Sequence, residues 1–405
     1  MINYKAVKQI YSDMSAIVND DTSERKIFHY TNTDVLNIIL SNATLRASHV
    51  FYLNDAEEYY KGIDIISRAI GKDLCSNNFN ESQGIFSISF SEGEDLLSQW
   101  ITYAKESGVS IEFDNRLLSL SEEEGKPRFI FGIEDDVKND DKDKSFTHLV
   151  FDTSKVLHRI RYVSDIEKVK SQIKNSYEKT CETDMSGMPL YATYMKHNSF
   201  EAEKEIRAAF IYHELIESLD EKADRFHPKL NYYRMEKGIL RPYINVRLLY
   251  LTKTDRNDSG EYTPMLPLKS ITVGPSGSQQ SVFDSIVHRI KYGETKVYDY
   301  SNDTERFNKN FESYLNDVCN WITENRELHA SVDEISSKLP SIKSKLVSQW
   351  KANNLEQCHL IDDRYSVDLT DMPKEIIHII QEVNKSFYFS PKGILIKKSK
   401  IPYIF

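Results

Sequence analysis

Hydrophobic side chains return every three to four residues between Tyr4 and Val18, at Val7, Ile10, Tyr11, Met14 and Ile17. They predict a helix that stops at the polar run 19–24. The apolar stretch IFHYTN then reads as a strand. Thr31, Asn32, Thr33 or Asp34 can each cap the helix VLNIILSN behind it, and TLRAS follows as a second strand. FYLNDAEEYY leads into a helix running to Ala69, and QGIFSISFSE is a buried strand ending in serines. LLSQWITYA is helical, and Gly108 separates it from the alternating strand VSIEF. HRIRYV reads as one strand and IEKVKSQIKNSYEKTCE as a charged helix. LYATYMKHNSFEAEKEIRAAFIY combines a helix, a turn near 197–200 and an emerging strand IRAAFIY. YINVRLLYL and LKSITVGPSG supply two more strands, SVFDSIVHRIKYG an amphipathic helix, and KVYDYS a final short strand.

Past Asp303 the pattern turns helical. FESYLNDVCNWITEN, SVDEISSKL and SIKSKLVSQWKANN are three helical stretches, the second with Ser331 and Glu334 as a capping box. CHLIDDRYSVDL and FYFSPKGILIKK then read as short strands around the helix KEIIHIIQEVN. Helices followed by a strand pair fit a winged helix-turn-helix, with Lys343, Lys345 and Lys351 on the nucleic-acid-reading helix and a β-wing near Lys392, Lys397 and Lys398. A helical packing or oligomerisation module accounts for the same pattern. The expected organisation is α+β, with a domain over 1–302, interrupted by a solvated insertion near 134–144 (EDDVKNDDKDK), and a helical or winged-helix-like domain over 303–405.

Charge changes further along, beyond about residue 335. The net charge is −10, but the residues from Ile335 onward carry 11 Lys/Arg against 7 Asp/Glu, so a basic tail follows an acidic body. Bulk charge therefore gives the whole molecule no affinity for nucleic acid, and any such contact must be local. The four cysteines, Cys75, Cys181, Cys319 and Cys358, form no CxxC pair, which argues against a zinc ribbon or disulfide framework and fits a reducing cytoplasm. Charge or polar residues interrupt every long apolar stretch, so neither membrane spanning nor secretion is expected.

HELIE at His213 has the wrong spacing for two zinc ligands on one helix face, and no GxGxxG, GxxxxGK or GxSxG motif occurs in the required context. Three features remain. His29-Tyr30-Thr31 ends the first strand, Ser87-Ile88-Ser89-Phe90-Ser91 ends a middle strand, and Glu203-Lys204-Glu205 precedes a late one. Polar groups at strand ends are held rigidly and can line a cleft. Each has an ordinary reading too: a hydrogen-bonded histidine, strand-terminating serines, and a solvated charge run in which Arg207 and Lys204 pair with the glutamates for about 0–1 kcal/mol. Trp100 and Tyr103 either pack LLSQWITYA onto the sheet or stack on a ligand.

In this order the three motifs resemble the ADP-ribosyltransferase pattern of a His or Arg on the first strand, a Ser-x-Ser element and a late Glu, often ExE. HYTN, LRAS, LNDAEE, SFSEGEDLLSQWITYAKESGVSIEF, KHNSFEAEKEIR and ITVGP also resemble a bacterial family catalogued as domain of unknown function 2971, over roughly residues 26–301. The transferase resemblance implies a split, twisted sheet and NAD as substrate without a metal. The reaction would pass ADP-ribose to a protein or nucleic acid, in the manner of a bacterial toxin or antiphage defence effector. It implies that Glu205 accepts a hydrogen bond from the nicotinamide ribose and offsets oxocarbenium charge, while Glu203 orients or deprotonates the acceptor. His29 would contact the adenosine side, Ser89 would position the glutamate, and Tyr30, Thr31, Tyr52 and Tyr103 would complete the cofactor site. Which glutamate is catalytic stays open, as do two other readings: a non-catalytic nucleotide- or partner-binding protein, and an NAD hydrolase.

Overall fold

Alternation sets the two faces of the strands that carry the site, whereas others, such as Gly108–Phe113, are buried on both sides. The computed structural model describes residues 26–53, 57–73, 84–103, 107–114, 128–134, 148–167, 170–171, 173–174, 188–212, 230–234, 238–252, 261–324 and 383–401. The expected first helix, the insertion beyond Glu134, most of the charged helix after Ile166, and the capping-box and nucleic-acid-reading helices with Lys343, Lys345 and Lys351 lie outside these residues.

In chain order, β1 (Ile27–Asn32), α1 (Thr33–Asn42) and β2 (Thr44–His49) lead to a single 3-10 turn, Val50–Tyr52. Then come α2 (Glu57–Ile70), β3 (Gly84–Ser91), α3 (Leu97–Tyr103) and β4 (Gly108–Phe113). β5 (Arg128–Glu134), β6 (His148–Asp152), α4 (Thr153–Val156), β7 (Leu157–Arg159) and β8 (Arg161–Val163) follow. α5 (Met188–Ala192), β9 (Met195–His197), a 3-10 segment (Asn198–Glu203) and β10 (Glu205–Tyr212) precede β11 (Leu230–Arg234), β12 (Leu240–Thr252), β13 (Glu261–Pro264) and β14 (Leu268–Val273). The last elements are α6 (Gln279–Tyr292), α7 (Thr304–Glu324), β15 (Phe387–Phe389) and β16 (Leu395–Lys398). The class is α+β, as expected. No helix among the described residues is long and apolar enough to cross a membrane.

The division into compact units does not fall at 302/303. One unit comprises 1–29, 38–94 and 114–267; the other comprises 30–37, 95–113 and 268–405. The reason is pairing: β16 runs parallel to β14, Ile396 opposite Ile271, and β14 is antiparallel to β4, so the C-terminal strands belong with residues 268–273 and 108–113. The expected wing is therefore a hairpin (β15–β16) built into this sheet. Its lysines are engaged: Lys397 donates to Asp317 of α7 at 2.7 Å, Lys392 to Thr295, and Lys398 to Gln280 of α6. At the hairpin's turn Gly393 has φ +78°, and a Cβ there would lie 2.9 Å from Phe307 and from Tyr300, so glycine is required. KVYDYS is not a strand; Asp299 caps a 3-10 turn at Tyr300–Asn302.

In the first unit, β7, β10, β3, β2, β12, β5 and β6 are paired antiparallel in that order, with β11 and β13 on β12. One sheet face is apolar. Ile206, Ala208 and Phe210 on β10 lie opposite Phe90, Ile88 and Phe86 on β3, and Ala47 and Leu45 on β2 lie opposite Ile244 and Val246 on β12. All are buried. Alternation then places Glu205, Arg207, Ser87, Ser89, Ser91, Arg46, Ser48, Tyr243 and Asn245 on the other face. HRIRYV divides at Ile160: β7 pairs with β10, whereas β8 pairs in parallel with β9 in a separate two-stranded sheet.

His49, opposite Phe86 on the apolar face, accepts the Phe51 N–H through Nδ1 at 3.3 Å, and burial lowers its pKa to about 4. Its folded pKa lies below its unfolded value near 6.5. Stability is therefore full above about pH 6.5 and falls as the pH drops toward about 4, by up to about 2 kcal/mol after allowance for partial access to water. Urea midpoints measured across this window should show the decline, and His49→Asn should flatten it.

Candidate functional site

Glu205 and Glu203 sit where a 3-10 segment hands over to β10. His197 caps that segment, accepting the Ser199 N–H, and Lys204 closes it in the left-handed region at φ 47°, so the chain turns sharply between the two glutamates. Three contacts fix the turn. Ser91 Oγ donates to the Glu203 carbonyl at 2.7 Å, the Glu92 N–H to the Lys204 carbonyl at 2.9 Å, and the Glu205 N–H to the Tyr162 hydroxyl at 2.8 Å.

Glu205 points into an ion network built from three parts of the chain. Arg207 donates to Glu205 Oε1 at 2.9 Å from Nε and 2.6 Å from Nη2, to Glu58 Oε1 of α2 at 2.5 Å, and to the Thr193 carbonyl at 2.7 Å. Lys196 of β9 reaches Glu58 at 3.2 Å, Glu203 at 2.8 Å and Glu205 at 3.2 Å, and its ammonium lies 4.7 Å from the centre of the Phe200 ring. Ser89 lies opposite Arg207 on the neighbouring strand, on the sheet face of Glu205, and helps to hold the Glu205 pKa down. Glu58, Lys196, Glu205 and Arg207 are all buried, whereas the Glu203 side chain keeps 20% of its surface exposed.

Burial by itself would raise the Glu205 pKa, but Arg207 and Lys196 outweigh it and hold the carboxyl below its usual range. Burial likewise opposes charge on Lys196 and Arg207, and the facing carboxylates hold both pKa values up. Glu203 goes the other way: burial raises its pKa, and Lys196 offsets this only in part. Three carboxylates face two cations, leaving one negative charge in excess, and Glu203 is the member that keeps contact with solvent. Such a group can take a proton and can place negative charge beside a cationic ligand.

α2 must approach closely for Glu58 to reach Arg207. Gly62, one turn after Glu58, makes this possible: a Cβ there would lie 2.3 Å from the Ala192 carbonyl oxygen of α5. Gly62→Ala should cost about 1–3 kcal/mol by overpacking. It should also speed hydrogen exchange at the Arg207 and Ala209 amides, a change absent if the two helices do not touch at this point.

The structure joins Ser89 to Glu205 and Glu203, but not His29. Phe28 pairs with Ser91, so His29 falls on the opposite side of the sheet; its ring packs 5.6 Å from Phe90, whose partner is Ile206. Its Nδ1 lies 3.0 Å from the Ser89 carbonyl, and burial lowers its pKa. The expected convergence of His29, Ser89 and Glu205 on one cleft is therefore corrected: His29 lies on the apolar side, partly exposed, with its ring against Phe90. Tyr52 is 40% exposed on the turn after β2, its ring against His49. Tyr30, Thr31 and Tyr103 belong to the second unit. There the Tyr30 hydroxyl accepts the Leu96 N–H, its ring meets Trp100 edge-on, and Thr31 is buried; Tyr103 is exposed. Trp100 is buried, with Nε1 donating to Asp95 at 2.7 Å, a packing role. Glu58 and Lys196, unassigned from sequence, complete the network.

The fold and the network define an α+β protein with a buried ion cluster at the ends of paired strands, one carboxylate of which meets solvent. Residues 99–208 match the model of a family described as Protein of unknown function (DUF2971). That stretch contains Lys196, Glu203, Glu205 and Arg207, while Glu58 and Ser89 precede it. Neither a curated protein nor a solved structure matches the chain.

Proposed function

We propose that the rim of this network binds NAD and that the protein transfers ADP-ribose to a macromolecule, in an arrangement like the split sheet of ADP-ribosyltransferases. One observation carries the reading: the Ser-x-Ser strand lies in register beside the strand that Glu205 opens, with Ser91 opposite Glu205 and Ser89 opposite Arg207 on the same sheet face. With NAD bound at this rim, the excess negative charge would offset the oxocarbenium character that develops as the bond between nicotinamide and ribose breaks. Nicotinamide leaves with the bonding electron pair as a neutral molecule, and an acceptor oxygen or nitrogen forms the new bond to the anomeric carbon. The acceptor's proton passes to Glu203, whose raised pKa suits a base. Burial makes Glu205 a positioning residue: with Glu58 it fixes Lys196, and Lys196 holds Glu203. A toxin or antiphage effector role rests only on the resemblance to bacterial proteins and not on this geometry.

Incubation of the full chain with adenylate-labelled NAD and cell lysate, followed by separate protease and nuclease digestion, tests the reading. Label in a product sensitive to one digestion supports it. A second reading has its own observation, because Glu58, Lys196, Glu205 and Arg207 satisfy one another internally, as a purely structural core would. Absence of both NAD cleavage and label transfer would favour that reading, a binding protein without catalysis.

A further inference from the structure

The polar face of the first unit's sheet continues past the network onto β2, β12 and β11, and there it changes character. Ser48 pairs with Ser87 on one side and with Tyr243 on the other, Arg46 pairs with Asn245, and Tyr233 pairs with Arg241. Arg46, Ser48, Tyr243, Asn245 and Tyr233 are each partly exposed, whereas the intervening Leu45, Ala47, Ile244 and Val246 are buried on the apolar face. Arg46 lies 5.1 Å from the centre of the Tyr243 ring and 5.8 Å from that of Tyr233, the two rings meet edge-on at 5.6 Å, and Arg241 lies 5.6 Å from the centre of Tyr233. Among the described residues Arg46 has neither a hydrogen-bond nor an ion-pair partner.

A guanidinium that is partly withdrawn from water, paired with no carboxylate among the described residues and set beside two tyrosines has the chemistry of an anion site with stacking surfaces next to it. Arginine holds phosphate oxygens through its planar fork. Tyrosine rings on a sheet face stack on unpaired bases, which a duplex keeps covered. An acidic peptide or a lipid headgroup would use the cation but leave the rings without a role. We propose that this face, centred on Arg46, Tyr233 and Tyr243, binds single-stranded nucleic acid, with phosphates on Arg46 and bases on the tyrosines. The site does not depend on the NAD reading. Where both hold, the bound strand lies on the same sheet face as Ser89 and is the natural acceptor.

Fluorescence anisotropy of the full chain with labelled oligouridine and oligothymidine of about 15 nucleotides tests this, with titrations at about 25 and 150 mM salt. Binding should weaken with salt. Arg46→Gln should weaken it roughly tenfold at low salt and reduce the slope of log affinity against log salt by about 0.7, one phosphate contact on a single strand. Arg46→Lys should keep that slope. Tyr243→Leu should weaken binding severalfold and Tyr243→Phe should leave it unchanged, with equal urea midpoints showing that the variants fold. Four results would each overturn the proposal: no binding at low salt; equal affinity for Arg46→Gln; a duplex bound as tightly as the single strand; or adenosine monophosphate or inorganic phosphate displacing the probe at concentrations matching the oligomer's own affinity. None of these depends on whether NAD is cleaved.

Discussion

Arg207→Met should be the most destabilising single substitution in the network, lowering the stability of the unit that contains it by about 3–5 kcal/mol. The guanidinium faces Glu205 and Glu58 in a buried setting, and methionine fills its volume while leaving two carboxylates with Lys196 as their remaining cation. Breaking one side of a buried pair exposes the desolvation cost that the pair had offset. Arg207→Lys keeps the charge but loses the fork that holds two carboxylates and the Thr193 carbonyl at once, so its cost should be smaller but measurable. Urea midpoints, with hydrogen exchange on the β10 amides, would measure both. A change under 1 kcal/mol for Arg207→Met would mean that the pairs are solvated and worth no more than surface ion pairs.

Glu203→Gln and Glu205→Gln should separate function from stability. Glutamine at 203 keeps the hydrogen bond to Lys196 but cannot accept a proton, so nicotinamide release and transfer should fall roughly 10²–10⁴-fold with the urea midpoint nearly unchanged. At 205 the same change leaves Arg207 and Lys196 facing a neutral amide, and the midpoint itself should drop. The pH dependence has a sign as well. Glu205 has a depressed folded pKa, so its contribution to stability is present above the ordinary carboxylate range and is lost as the pH falls through the folded value. If Glu205→Gln keeps its stability and loses activity while Glu203→Gln keeps both, the glutamate roles are reversed.

The strand ends carrying HYTN, SFS and EKE were legible because alternation is a local signal, and so was the α+β class. The pairing of Arg207 with the glutamates was legible too, but not its strength. It follows from burial beneath α2, which brings Glu58 from 149 residues away. Nothing local distinguishes Glu58 from its neighbours in DAEEYY. HRIRYV has continuous β-propensity, and the turn at Ile160 arises because its two halves have different partners, β10 and β9. His29 was misplaced by one residue of alternation, since the Phe28 to Ser91 register alone decides which side it faces. The C-terminal boundary failed for a similar reason: the parallel pairing of β16 with β14 joins residues far apart in sequence, and a change in composition does not reveal it.

The most direct measurement is the release of labelled nicotinamide from NAD by the purified full chain over several hours, beside Glu203→Gln at equal concentration. The account predicts steady release by the wild type, faster when the acceptor is present, and a loss of at least about a hundredfold in the variant. No release above the protein-free rate, or equal release by both proteins, would contradict it.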